Sequence, residues 1–234
     1  MMKTLGLRAR ATKPEVRLVR RFSRTERALH WTNALGFFTL LASGLVLYIP
    51  ELSIAVGRRA LLQEVHFWSG VIWIAALALI AMAGDRRGLV RTAIELDTFD
   101  HDDLRWLLGR RPAPQGRFNA GQKVNSAVMV AITFLFLVSG LLLWFGERDT
   151  NLRFASTIQL HDALMFAAVL IVTAHVYLAC IHPPTRHSLR GMTRGTVRED
   201  WATKHHPKWR PKPQSTTSPN DSSPPSGCSS KRTI

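Results

Sequence analysis

Cysteine is nearly absent from this 234-residue chain: Cys180 and Cys228 are its only two. They share no metal-ligand spacing and require no disulfide, which excludes a cysteine-bound iron–sulfur cluster within the chain. Acidic residues are also few, 16 Asp and Glu against 31 Lys and Arg. Four stretches lack charge of either sign: 28–50, 65–84, 124–146 and 163–181. Glu64 stands by His66 and Asp162 beside His161, both at the ends of spans and not within them, so the intramembrane carboxylates that usually accompany histidine in a di-metal site are missing.

What fills those stretches is apolar. Each is about 20 residues long, enough for one helix to cross a hydrocarbon core about 30 Å thick. Mean hydropathy near zero averages these blocks with very basic tails and hides the pattern. The segment before the first block reads as an Arg-rich tail rather than a cleavable secretory signal. The expected fold is all-α, a bundle of four transmembrane helices, with spans near 28–50, 63–84, 119–146 and 158–181.

Charge sets the expected orientation. Segments 1–27, 85–118 and 182–234 hold twenty-six Lys and Arg, whereas the short loops 51–64 and 147–157 hold four. By the positive-inside rule, both termini and the middle loop 85–118 are cytoplasmic. The formal charge of +15 is then mainly a topology signal. Nucleic-acid binding, the other reading of a basic chain, does not explain charge confined to one side of four spans.

Four histidines stand inside or at the mouths of the apolar stretches: His30, His66, His161 and His175. The last two are fourteen residues apart, a rise of roughly 21 Å and a return to within about 40° of one helix face. With the charge topology, His66 and His161 fall near the periplasmic face, and His30 and His175 toward the cytoplasmic one. Two depth-matched imidazole pairs are the ligand pattern of two stacked b-type haems. Bis-histidine ligation leaves no axial position open and suits electron transfer. Taken singly, each histidine is also explained as a packing or proton-path residue; the depth-matched set is not. Gly44, Gly70 and Gly140 are candidates for close approach of a porphyrin plane or for ordinary helix contacts.

The third span carries no ligand candidate, but its mouth, RFNAGQKVN over 117–125, is polar. Asn119, Gln122, Lys123 and Asn125 stand there, and the amide side chains with the free helix N-terminal N–H groups offer donors to quinone carbonyls. An N-cap at Asn119 with interfacial polar neighbours explains the same residues. His182, His187, His205 and His206 lie in the basic C-terminal segment and read as docking or closing groups. Arg24, Arg27 and Arg186 are candidate partners for haem propionates.

The segments FSRTERALHWTNALGFFTLLASG, RFNAGQKVN and GMTRGTVREDWATKHHPKW make the chain resemble the cytochrome b (gamma) subunits of membrane-bound respiratory formate dehydrogenases. The resemblance spans roughly residues 18–210. It implies haem iron held by His66 with His161 and by His30 with His175, and a quinone pocket near Asn119, Gly121, Gln122 and His175. It also implies an iron–sulfur (beta) subunit and a molybdenum or tungsten catalytic (alpha) subunit as partners. Electrons would pass from the periplasmic haem to the cytoplasmic one and on to menaquinone or ubiquinone, in a bacterial inner membrane. The chain has no pterin-binding domain, so it reads as conduit and membrane anchor. The expected organisation is a cytoplasmic segment 1–27, a di-haem domain 28–181, a basic cytoplasmic segment 182–210 and a disordered Pro/Ser-rich tail 211–234. A cytochrome b for a nickel–iron hydrogenase or thiosulfate reductase, and a haem-free membrane anchor, are the alternatives.

Overall fold

The computed structural model describes residues 17–152 and 154–210; the tail expected to be disordered lies outside them. The chain runs through a short strand β1 (Leu18–Arg20), the long helix α1 (Arg24–Tyr48), the short α2 (Pro50–Val56) and the long α3 (Arg59–Ala83). Two shorter helices, α4 (Arg86–Asp97) and α5 (His101–Leu107), precede the long α6 (Ala120–Gly146) and α7 (Ser156–Val176). A π-helical turn over Tyr177–Ile181 prolongs α7, and α8 (Leu189–Arg194), β2 (Thr196–Arg198) and α9 (Glu199–His205) follow. The architecture is all-α, a four-helix bundle with one minimal antiparallel sheet, β1 on β2.

The four long helices are each 25 to 27 residues, counting the π turn with α7, and apolar enough to cross a membrane. All four start several residues before their charge-free stretch. α1 begins at Arg24 because Ser23 and Glu26 form a capping box: Glu26 N donates to Ser23 Oγ (3.1 Å) and Ser23 N to Glu26 Oε2 (2.6 Å). It ends before Pro50, which holds Ile49 extended. α3 starts at Arg59, so Arg59, Gln63 and Glu64 are helical and the span extends beyond the charge-free run.

α1 packs along α3, and α6 along α7. α1 and α3 run antiparallel, since Asp85 N, just past α3, donates to Thr25 Oγ1 at the start of α1 (3.0 Å); Gln63 near the start of α3 bonds Glu147 just past α6 (2.9 Å), which ties the two pairs together. Between α6 and α7, Ile132, Leu164 and Ala168 form a buried cluster, and Phe37 of α1 packs against it with Phe136, Ala167 and Ile171. The outward faces stay apolar, as at Leu35 (71 % exposed) and Leu170 (72 % exposed). An apolar shell of this extent suits lipid and not water. The chain is a multi-pass membrane protein.

One end of the bundle carries a polar cap. β1 pairs with β2, Arg21 and Phe22 donate their N–H groups to Gly195 O, and Val19, Val197 and Ala202 form a small core under Trp201 and Trp209. Arg117 fastens α1 to α4 through Glu26 (2.8 Å) and Glu95 (2.8 Å). Lys208 reaches back to Asp100 (2.6 Å) and Asp102 (2.7 Å). The first and last described segments thereby close the same end.

Candidate functional site

The two helix pairs face each other through histidines. The rings of His66 on α3 and His161 on α7 have centres 6.3 Å apart, inclined at 73°. Those of His30 on α1 and His175 on α7 are 6.1 Å apart, inclined at 60°. The structure thus brings together the same two pairs that topology predicts. α7 holds one histidine of each pair, with Leu164, Ala168 and Ile171 between them. We call the His66–His161 level the outer pair and the His30–His175 level, nearer the polar cap, the inner pair.

The gap itself is informative. A metal–imidazole bond of about 2.0–2.1 Å on each side, with about 1.1 Å from ring centre to ring nitrogen, sets trans ligand rings about 6.3 Å apart. Both gaps match that span, and both exceed direct hydrogen-bond reach. Among the described residues no cluster of three or more His, Cys, Asp or Glu is suited to hold a metal ion. A group that brings its own equatorial nitrogens and needs two axial imidazoles fits; a bare ion does not.

Each outer histidine has a second partner. His66 Nδ1 lies 2.8 Å from Ser43 Oγ, and His161 Nδ1 lies 2.9 Å from Ser139 Oγ. Of the candidate glycines, Gly44 and Gly140 lie against these rings: an added Cβ would come within 3.4 Å of His66 Cε1 and 3.7 Å of His161 Cε1. Gly70 faces Leu40 instead.

At the mouth of α6, Asn119 is the N-cap in a complete capping box. Gln122 N donates to Asn119 Oδ1 (2.9 Å), and Asn119 N to Gln122 Oε1 (3.0 Å). Both oxygens are engaged in the box, and both amide NH2 groups stay available as donors. Ala120 N, another of the helix's first N–H groups, donates to Gln115 Oε1 (2.7 Å). Gly121 lies against Trp106, where an added Cβ would come within 3.1 Å of the indole. Lys123, at the same helix mouth, is buried in an ion pair with Asp103 (2.6 Å) and donates to Thr98 O (2.8 Å). Among the described residues no hydrogen bond joins His175 to Asn119, Gly121 or Gln122. Arg27 donates to Met192 O and Thr193 O, so its guanidinium is committed to the cap.

Residues 21–195 match the family described as prokaryotic cytochrome b561. The chain belongs to that family. It is a membrane cytochrome b that carries b-type haem and acts in electron transfer. It is similar to the nitrate-inducible formate dehydrogenase cytochrome b556(Fdn) subunit of Escherichia coli (strain K12), 26% identical over 199 residues, covering 79% of this chain and 86% of the relative. The formate dehydrogenase cytochrome b556(fdo) subunit of the same strain is 26% identical over 212 residues, 84% of this chain and 94% of the relative. A formate dehydrogenase cytochrome b556 subunit of Haemophilus influenzae is 25% identical over 203 residues, covering 78% of each chain.

One feature of this cytochrome escapes a reading of the sequence alone. Ser43 and Ser139 look like ordinary small residues of membrane helices until their contact with the histidines is seen. His206, in the segment that reads as docking or closing, is buried in the cap, with Nδ1 donating to Gly116 O (2.6 Å). Burial, and then the charge of Arg21, push its pKa down to about 4. Arg21 is itself pulled down to about 10 by burial and by Arg117. Its guanidinium lies against the rings of Trp201 (5.3 Å) and Phe22 (5.4 Å).

Proposed function

We propose that this cytochrome is the di-haem membrane-anchor subunit of a formate dehydrogenase, passing electrons across a bacterial inner membrane to quinone at the cytoplasmic side. The observation that carries this reading is the pair of imidazole gaps, 6.3 Å and 6.1 Å, at two levels of one bundle. His66 and His161 would hold one haem near the periplasmic face, His30 and His175 the other near the cytoplasmic face. Bound there, haem supplies one-electron chemistry with both axial positions filled. The histidines hold the two centres at fixed levels, and the apolar layer of Phe37, Ile132 and Leu164 keeps water from between them. The basic residues of the cap support a cytoplasmic position for this end.

We assign quinone reduction to the mouth of α6, at the same end of the bundle as the inner pair. The free NH2 groups of Asn119 and Gln122 would donate to quinone carbonyl oxygens, with Gly121 and His175 as neighbours. The helix N-terminus favours the negative charge that develops there on reduction. The named relatives support formate dehydrogenase as the complex; in it an iron–sulfur subunit would feed electrons to the outer pair from a molybdenum or tungsten subunit. The test is purification of the complex with its natural partners. Two b-type haems per chain and formate-dependent quinone reduction are expected. A haem-free chain, or a hydrogenase partner, refutes the reading.

A further inference from the structure

The bonds from Ser43 and Ser139 to the outer histidines have a definite polarity. Ser43 Oγ is 3.0 Å from Thr39 O and 3.2 Å from Leu40 O on its own helix. Ser139 Oγ is likewise 2.7 Å from Leu135 O and 3.3 Å from Phe136 O. A carbonyl oxygen can only accept, so each hydroxyl proton is directed to the helix backbone. The hydroxyl oxygen then meets Nδ1 as an acceptor, and Nδ1 must carry the hydrogen. A neutral imidazole protonated at Nδ1 has its lone pair on Nε2, the nitrogen left to ligate a metal.

This arrangement occurs twice. A Ser-Gly dipeptide on α1, Ser43-Gly44, serves His66 on α3; another on α6, Ser139-Gly140, serves His161 on α7. The serine precedes its histidine by 23 residues in one case and 22 in the other. Both serines bond back to their own helix, and both following glycines lie against the imidazole they serve. The repeat is confined to the outer level. At the inner level, among the described residues, the rings of His30 and His175 make no hydrogen bond, and both ligands come from α1 and α7.

An Nδ1–H···O bond raises the basicity of the ligating nitrogen. A more basic axial ligand favours the ferric over the ferrous state and lowers the reduction potential. We propose that Ser43 and Ser139 are positioning residues that fix the outer histidines in the Nε2-ligating tautomer and make the outer centre the lower-potential one. Electron transfer from outer to inner is then downhill. It is a single-electron step in which the outer centre is oxidised as the inner is reduced, with no bond made or broken. This inference rests on the two-haem reading above.

The test is a potentiometric titration of the purified complex, read in the visible haem bands and by low-spin electron paramagnetic resonance. Wild type should give two midpoints, the lower one lost in His66→Ala and so assigned to the outer centre. Ser43→Ala with Ser139→Ala should raise that midpoint, with up to a tenfold loss of ferric preference, about 59 mV for one electron. The inner midpoint should stay in place. Ser43→Thr with Ser139→Thr, which keeps both hydroxyls, should restore the wild-type value. Loss of the outer haem in the alanine variant with retention in the threonine variant supports the same role. Unchanged midpoints and resonance in the alanine variant, or equal loss in both variants, overturn the inference while leaving the two-haem reading intact. A wild-type complex without two haems overturns that reading, and this inference with it.

Discussion

His66 and His161 face each other with ring centres 6.3 Å apart, each held at Nδ1 by a serine of the helix packed beside its own. His30 and His175 repeat the spacing at 6.1 Å without the serines. Two gaps of metal-bridging width, reached from different helix combinations, define this bundle better than any single side chain.

Removing either outer histidine should remove one haem. For His66→Ala and for His161→Ala, haem content should fall from two per chain to one, and the remaining haem should keep its spectrum. His30→Ala should instead abolish the inner centre and stop quinone reduction. Pyridine haemochrome assay with quinone turnover checks both. Loss of all haem from every variant would mean that the histidines support one site and not two.

The amides at the mouth of α6 have two separable tasks. Gln122→Glu keeps the side-chain oxygen that accepts from Asn119 N and removes the NH2 donor. It should preserve the fold and haem content while lowering quinone turnover. Gln122→Ala and Asn119→Ala also lose the cap, at a cost of about 1 kcal/mol each, and should lower thermal stability as well. If Gln122→Glu reduces quinone at the wild-type rate, the segment is structural.

Lys123 and Asp103 form a buried ion pair, with side chains 11 % and 3 % exposed. Asp103→Ala leaves the ammonium buried with only Thr98 O as partner and should destabilise the cap by about 3–5 kcal/mol. Replacing both residues with apolar ones of similar size should recover most of that loss. Denaturation of the detergent-solubilised complex, followed by fluorescence of the neighbouring Trp106, reads the difference.

The cap should weaken in acid because of His206. Its pKa is about 4 in the fold, against about 6.5 for a free histidine. Below pH 6.5 the unfolded segment takes up a proton that the folded one refuses until about pH 4. The stability of the cap is therefore full above pH 6.5 and declines as pH falls from 6.5 to 4, by about 3 kcal/mol in all. Hydrogen exchange at the amides of Val19 and Val197, corrected for intrinsic rates, should show that slope. His206→Asn should flatten it.

Much of the bundle is legible in the sequence, for one physical reason. A charge-free run of about 20 residues has few stable fates besides a membrane helix, and four such runs leave little choice of fold. The pairing of His66 with His161 and of His30 with His175 is legible too, since successive spans must alternate in direction and so set the depth of each histidine. The start of α1 at Arg24 is less so, because lipid sets the apolar length while the Ser23–Glu26 box sets the helix end. The pairing of Leu18–Arg20 with Thr196–Arg198 is not legible: three-residue strands carry no periodicity, and their partners are far apart in the chain. Ser43 and Ser139 stay hidden for a similar reason. A serine in a membrane helix bonds its own backbone by default, and only the packed histidine reveals its second bond.

Haem quantitation on the purified complex, alongside variants of one histidine from each pair, tests the two-haem bundle most directly. Two b-type haems are expected per wild-type chain, one in His66→Ala and one in His30→Ala, with distinct midpoint potentials surviving in the two variants. A single haem per wild-type chain, or the same surviving midpoint in both variants, would contradict the two-haem bundle.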